Sequence, residues 1–279
     1  GAGMEDQQLE AARRAAAEAY TAVGDMLASG RASAGDVLKL HKMYSQQQLP
    51  PINALRHVQC VHLLLSEAFD PSRPLPPDRQ PAYLRLLGLA AAAADRREQG
   101  GGLSMSGVQE VEAALRTLRD LLEGAKLGRA PAAEDAEALL GLPMVATALV
   151  LWVRRKFASR DQFLSGEGSN SSPILVAMMA AVARAHVMHH AALLEVVGKG
   201  LRVSHNTASK AVPSLVDLAV LILTLGSVDR VMIFMEEFAA CEQKDPAVLA
   251  RFATQVLQVA AGPYSPPFAR WLLGLLAEC

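Results

Sequence analysis

Apolar residues recur every three or four positions along most of this chain, and no clean alternating run bounded by hairpin turns interrupts them. The pattern predicts helices over Glu5–Ser29, closed by Gly30, and from Gly35-Asp36 to just before Leu49-Pro50-Pro51. A third spans Ile52–Phe69, with Leu55, Val58, Val61, His62 and Leu65 on one side. Pro81–Ala94 follows, and then Val108–Leu127 with the stripe Val111, Leu115, Leu118 and Leu122. Ala132–Leu140 and Met144–Phe157 are separated at Gly141 and Pro143. The second is apolar on almost every side, which predicts a central position. Ile174–Met188, Val203–Leu225 and Val228–Glu242 come next, the last two split at Gly226-Ser227. The breaks fall at the proline-rich stretch 70–78, at Gly100-Gly101-Gly102 and at the polar stretch 165–172.

Residues 245–276 carry the clearest local grammar. Asp245 is an N-cap candidate, and Pro246 suits the first helical position, where a missing N–H costs nothing. Leu249, Phe252, Ala253, Val256, Leu257 and Ala260 then form an apolar stripe opposite Arg251, Gln255 and Gln258. Gly262 is expected to end the helix with a positive φ, and Pro263 forbids its continuation. Ser265-Pro266 restarts a helix that places Phe268, Trp271, Leu272 and Leu275 on one face, with the corner at Tyr264. The fold class expected is all-α: about eleven or twelve helices in an irregular array, loosely like helical-repeat solenoids but without a strict period.

Composition sharpens this picture. Of 279 residues, 51% are hydrophobic and only 5% aromatic. Alanine is heavily used, which favours helices packed closely together. Residues 4–279 read as one elongated helical domain, and Gly1, Ala2 and Gly3 before Met4 read as a cloning remnant. The formal net charge of −1 argues against a generally basic nucleic-acid binder. Cys60, Cys241 and Cys279 have neither disulfide-framework nor zinc spacing, which fits a reducing compartment. Every apolar run is shorter than the roughly 18 residues a spanning helix needs, so no membrane contact is expected.

Catalytic signatures are missing. The chain has no G-x-S-x-G elbow, no Walker loop and no H-E-x-x-H, and no enzymatic activity is expected. His186 and His190 at i, i+4, with His189 beside them, have a zinc-binding spacing. The alternative is helix-terminal imidazoles bonded locally. No cysteine or carboxylate accompanies them before Glu195, so no metal or cofactor is expected. Arg154, Arg155, Lys156 and Arg160 form the densest basic run, and Arg96, Arg97, Arg116 and Arg119 a thinner second patch. Both are candidate phosphate contacts. For the first, the competing reading is a cationic helix C-terminus favoured by the macrodipole. Trp152, Phe252, Tyr264, Phe268 and Trp271 read as structural core.

Four stretches in order carry a resemblance: AVGDMLASGRASAGDVLKLHKMYSQQQLPP, LGLPMVATALVLWV, the pair His186 and His190, and the hairpin around Pro263-Tyr264. Together they resemble the C-terminal part of negative elongation factor C/D, the trihydrophobin family, over roughly residues 18–276. The family's N-terminal half has no counterpart here, so the chain reads as a piece of a longer protein. Near His190 the family often breaks its helix with proline. Ala191 stands there instead, and the two helices are expected to run on with only a bend. The resemblance implies a nuclear, non-catalytic component of the negative elongation factor complex that promotes promoter-proximal pausing of RNA polymerase II. It implies contacts with negative elongation factor A, with the other proteins of the complex and with the polymerase, and weak single-stranded RNA contact. An unrelated helical-repeat adaptor that binds peptides or helices is the alternative; a helical hydrolase or metal protein is a third class.

Overall fold

A computed structural model describes residues 2–46, 49–92, 104–126, 132–158, 171–203, 211–240, 246–260 and 262–277. Among these residues it is all-α, with thirteen α-helices and no strand. The chain divides into two compact units at Arg119/Asp120.

The first unit contains α1 (Ala2–Ser29), α2 (Ala34–Met43), α3 (Val58–Ala68), α4 (Gln80–Ala91) and the first part of α5 (Met105–Lys126). Gly30 at φ +67° ends α1, and Ser33 caps α2 by accepting from the Asp36 amide. Helix α1 packs on α2 and α3, and α4 packs on the same two. Buried tyrosines tie loops to this core: the Tyr44 hydroxyl donates to the Pro51 carbonyl and the Tyr83 hydroxyl to Ala32. The continuous helix expected from Ile52 is broken. A 3-10 turn covers Ile52–Ala54, and α3 starts only after His57. The break rotates the buried face to Cys60, Leu64, Leu65 and Ala68, so Val58 is 81% exposed and His62 is also exposed.

The second unit contains α6 (Ala133–Leu140), α7 (Pro143–Ala158), α8 (Ser171–Ala185), α9 (His190–Val203), α10 (Ala211–Thr224), α11 (Val228–Ala239), α12 (Pro246–Val259) and α13 (Pro266–Ala277). Its centre is α10, which packs against α8, α9, α11 and α12. Helix α7, expected at the centre, lies against α6, α8 and α9. Its apolar side chains are nonetheless largely buried. Among the described residues no single helix is long and apolar enough to cross a membrane. The α6–α7 pair passes by length and composition, but it is bent by 99°.

In the α12–α13 hairpin, Pro246 and Pro266 are the first residues of their helices, and the Ser265 hydroxyl accepts from the Phe268 amide at 3.4 Å. The corner differs from expectation. Gly262 has no positive φ, and the Gly262–Pro263 peptide is cis. Val248 is buried on α12, while Leu257 is exposed. Phe252, Phe268 and Trp271 are buried together, with Trp271 centred 6.1 Å from Phe252 and 5.2 Å from Phe268. Tyr264, expected in the core, is 38% exposed: it leans on Phe268 and its hydroxyl donates to the Ala260 carbonyl.

Candidate functional site: a groove between two parallel helices

Three histidines position this site. Helix α8 ends at Ala185, His186 is extended, and a 3-10 turn over Val187–His189 leads into α9. This is a full break, not the bend expected from the missing proline. Each imidazole reaches a protein oxygen across the break. His186 Nε2 donates to the Leu140 carbonyl at the end of α6, at 3.0 Å. His189 Nε2 lies 3.3 Å from the Thr147 hydroxyl of α7. Fully buried His190 donates from Nε2 to the Ala183 carbonyl at 2.8 Å, and its Nδ1 accepts from the Ser227 hydroxyl at 2.6 Å. Leu140 and Ala183 both lie in last turns, where carbonyls lack intrahelical partners. The histidines are therefore bonded within the protein, mostly to neighbouring helices distant in sequence, with Nε2 of each directed at a protein oxygen. Among the described residues no group of three His, Cys, Asp or Glu side chains is placed to hold a metal. Burial, then the neighbouring His186 and His190, push the His189 pKa down.

The His190–Ser227 bond joins the start of α9 to the start of α11. Further along, Gly198 meets Phe234: a Cβ at Gly198 would lie 3.0 Å from the ring edge. The two helices thus run parallel and in register, and a side chain at 198 would press the ring away by a few tenths of an ångström. Between them is a groove of about 390 Å³ with Ala191, Leu194, Ile233 and Phe234 among its lining. Ile233 is 57% exposed. The rim is charged. Glu195 pairs with Arg154 of α7 at 2.6 Å and with Lys199 at 2.7 Å. The Lys199 hydrogen bond first, and the Arg154 charge, hold the Glu195 carboxyl below its ordinary pKa. Arg230 and Glu237 stand on the α11 side.

The candidate basic residues are spread over both units. Arg154 is engaged by Glu195, and Arg155 and Lys156 are half-buried and make contacts of their own in the last turns of α7. Arg116 is exposed and Arg119 half-buried on α5. Arg96, Arg97 and Arg160 lie outside the described residues. Trp152 is buried on α7 at 4% exposure. Sequence reasoning named Glu195 and Ser227 but missed their partners and the groove, although Arg230, Ile233 and Glu237 at i, i+3, i+7 were legible as one helix face.

Comparison with known proteins gives the lineage. The chain is 22% identical over 268 residues to negative elongation factor D of Sus scrofa, and equally to that of Mus musculus. The alignment covers 92% of this chain and 45% of each relative, so the chain spans less than half the length of the curated proteins it matches. A family model described as TH1 protein matches residues 6–278, nearly the whole chain, and the chain therefore belongs to the TH1 protein family.

Proposed function

We propose that this chain is a non-catalytic component of a negative elongation factor complex. It works by occupying surface on partner proteins, with no bond chemistry. Negative elongation factor A, the other proteins of the complex and RNA polymerase II are the partners, and the outcome is promoter-proximal pausing in the nucleus. Family membership over residues 6–278 carries this reading, and the relatives bear the name of a regulatory factor. Two features of the second unit support it. The histidine-anchored break holds α9 and α11 in register, and an apolar groove with a charged rim lies open between them. Such a surface suits recognition of another helix better than turnover of a small substrate.

RNA contact is a secondary part of the proposal. With Arg154 held by Glu195, the basic run of α7 offers weak, salt-sensitive phosphate contact. The test of the main reading is co-expression with the cognate negative elongation factor A. The expected result is co-purification of the two chains. Isolation of this chain by itself, folded but without negative elongation factor A, would contradict the proposal.

A further inference from the structure

Helix α11 carries a stripe with an internal symmetry. Arg230 and Glu237 lie seven residues apart, two helical turns or about 10 Å, on one face, with Ile233 and Phe234 between them. Both charged residues are exposed, and neither has an ion-pair partner among the described residues. The other charges at the groove, Glu195, Lys199 and Arg154, are already paired with one another.

We propose that this stripe is a self-complementary surface through which two copies of the chain pair, α11 against antiparallel α11. A two-fold axis between Ile233 and Phe234 sets Arg230 against the partner's Glu237 and Glu237 against the partner's Arg230. It also sets Ile233 against the partner's Phe234. This is the rule for a closed two-fold interface, in which each contact occurs twice. Charge complementarity selects a second copy as the occupant, because the helix itself supplies the opposite charge at the spacing its own stripe requires. The groove wall contributes as well. Gly198 lets the Phe234 ring lie against α9, which fixes the ring at the centre of the stripe. The stripe is also one wall of the groove proposed to take a partner's helix, so pairing and partner capture compete for it. The pairing is read on the chain by itself, and its failure leaves the proposed role in the complex to its own test.

The test is sedimentation velocity of the whole chain over a concentration series, with circular dichroism to establish that each variant is folded. The wild type is expected to form a reversible dimer that weakens as salt is raised. Arg230→Glu places like charges together twice, as does Glu237→Arg. Each is expected to raise the dimer dissociation constant by roughly tenfold or more. An equimolar mixture of the two variants restores both opposite pairs, so it is expected to form a heterodimer tighter than either variant alone. The double exchange in one chain recovers the homodimer in the same way. A wild type that stays monomeric at millimolar concentration would overturn the proposal. So would a dimer indifferent to both reversals, or a mixture no tighter than its components.

Discussion

The hydroxyl of Ser227 donates to Nδ1 of His190 at 2.6 Å, although Ser227 occupies the N-cap position of α11. A serine there ordinarily accepts from the helix's own amides. Here it is turned toward a fully buried imidazole instead, and its side chain makes no cap bond. The starts of α9 and α11 are joined as a result, and the groove depends on that junction.

Removing the imidazole should therefore cost more than a single surface contact. His190→Ala leaves the Ala183 carbonyl and the Ser227 hydroxyl without their buried partner and opens a cavity. The expected destabilisation is about 2–4 kcal/mol. Ser227→Ala, which removes one bond, should cost about 1–2 kcal/mol. Urea unfolding midpoints measure both; an unchanged midpoint for His190→Ala would show that the junction is dispensable.

Much of the helical plan was legible from the spacing of apolar residues, and the α12–α13 hairpin from its two helix-starting prolines. The breaks were harder. At His186 no proline or glycine interrupts the chain; the helix stops because three imidazoles find oxygens on α6, α7, α8 and α11, and none of those distances is written locally. The same holds for Arg154, whose partner Glu195 is 41 residues away. A stripe assigned across an unseen break, as at Leu55–His57, turns the wrong face inward. Tyr264 was misplaced because an aromatic at a tight corner reads like core, whereas the corner projects it toward solvent.

Trp152 and Tyr264 should separate in experiment as they do in burial. Trp152→Ala empties a buried site and is expected to cost about 3–5 kcal/mol. Tyr264→Ala, at a partly exposed corner, should cost about 1 kcal/mol or less. Thermal melts compare the two directly. Equal losses would refute the assignment of burial.

Acid should weaken the histidine-anchored break through His189. Its folded-state pKa is lowered below the ordinary 6.5, so between the two values the unfolded chain binds more protons. Its contribution is present above about pH 6.5 and is lost as pH falls toward the lowered folded value. Denaturation at about pH 7.5 and about pH 5.5 should show this loss, and His189→Gln should reduce it. An equal pH dependence in the variant would assign the effect elsewhere.

Cys60 provides a probe of opening in the first unit. Burial pushes its thiol up to about 12, so it should resist alkylation in the folded chain. With Cys241 and Cys279 replaced by serine, labelling of Cys60 should follow urea unfolding. Rapid labelling without denaturant would mean that α3 is open to solvent.

The proposed RNA contact is expected to be weak and steeply dependent on salt, with a slope near roughly −3 for about four phosphates on a single strand. Arg154→Glu with Arg155→Glu should weaken it alike for all sequences. Glu195→Gln, which releases Arg154, should strengthen it. Fluorescence anisotropy reads all three; binding that ignores salt or is unmoved by these changes would refute a contact through α7.

The most direct test of the proposed role in the complex is calorimetric titration of the chain with the N-terminal region of its cognate negative elongation factor A at several temperatures. The expected result is saturable one-to-one binding with a negative heat-capacity change, the mark of apolar surface buried between two proteins. No saturable heat at any temperature, from a chain shown to be folded, would contradict it.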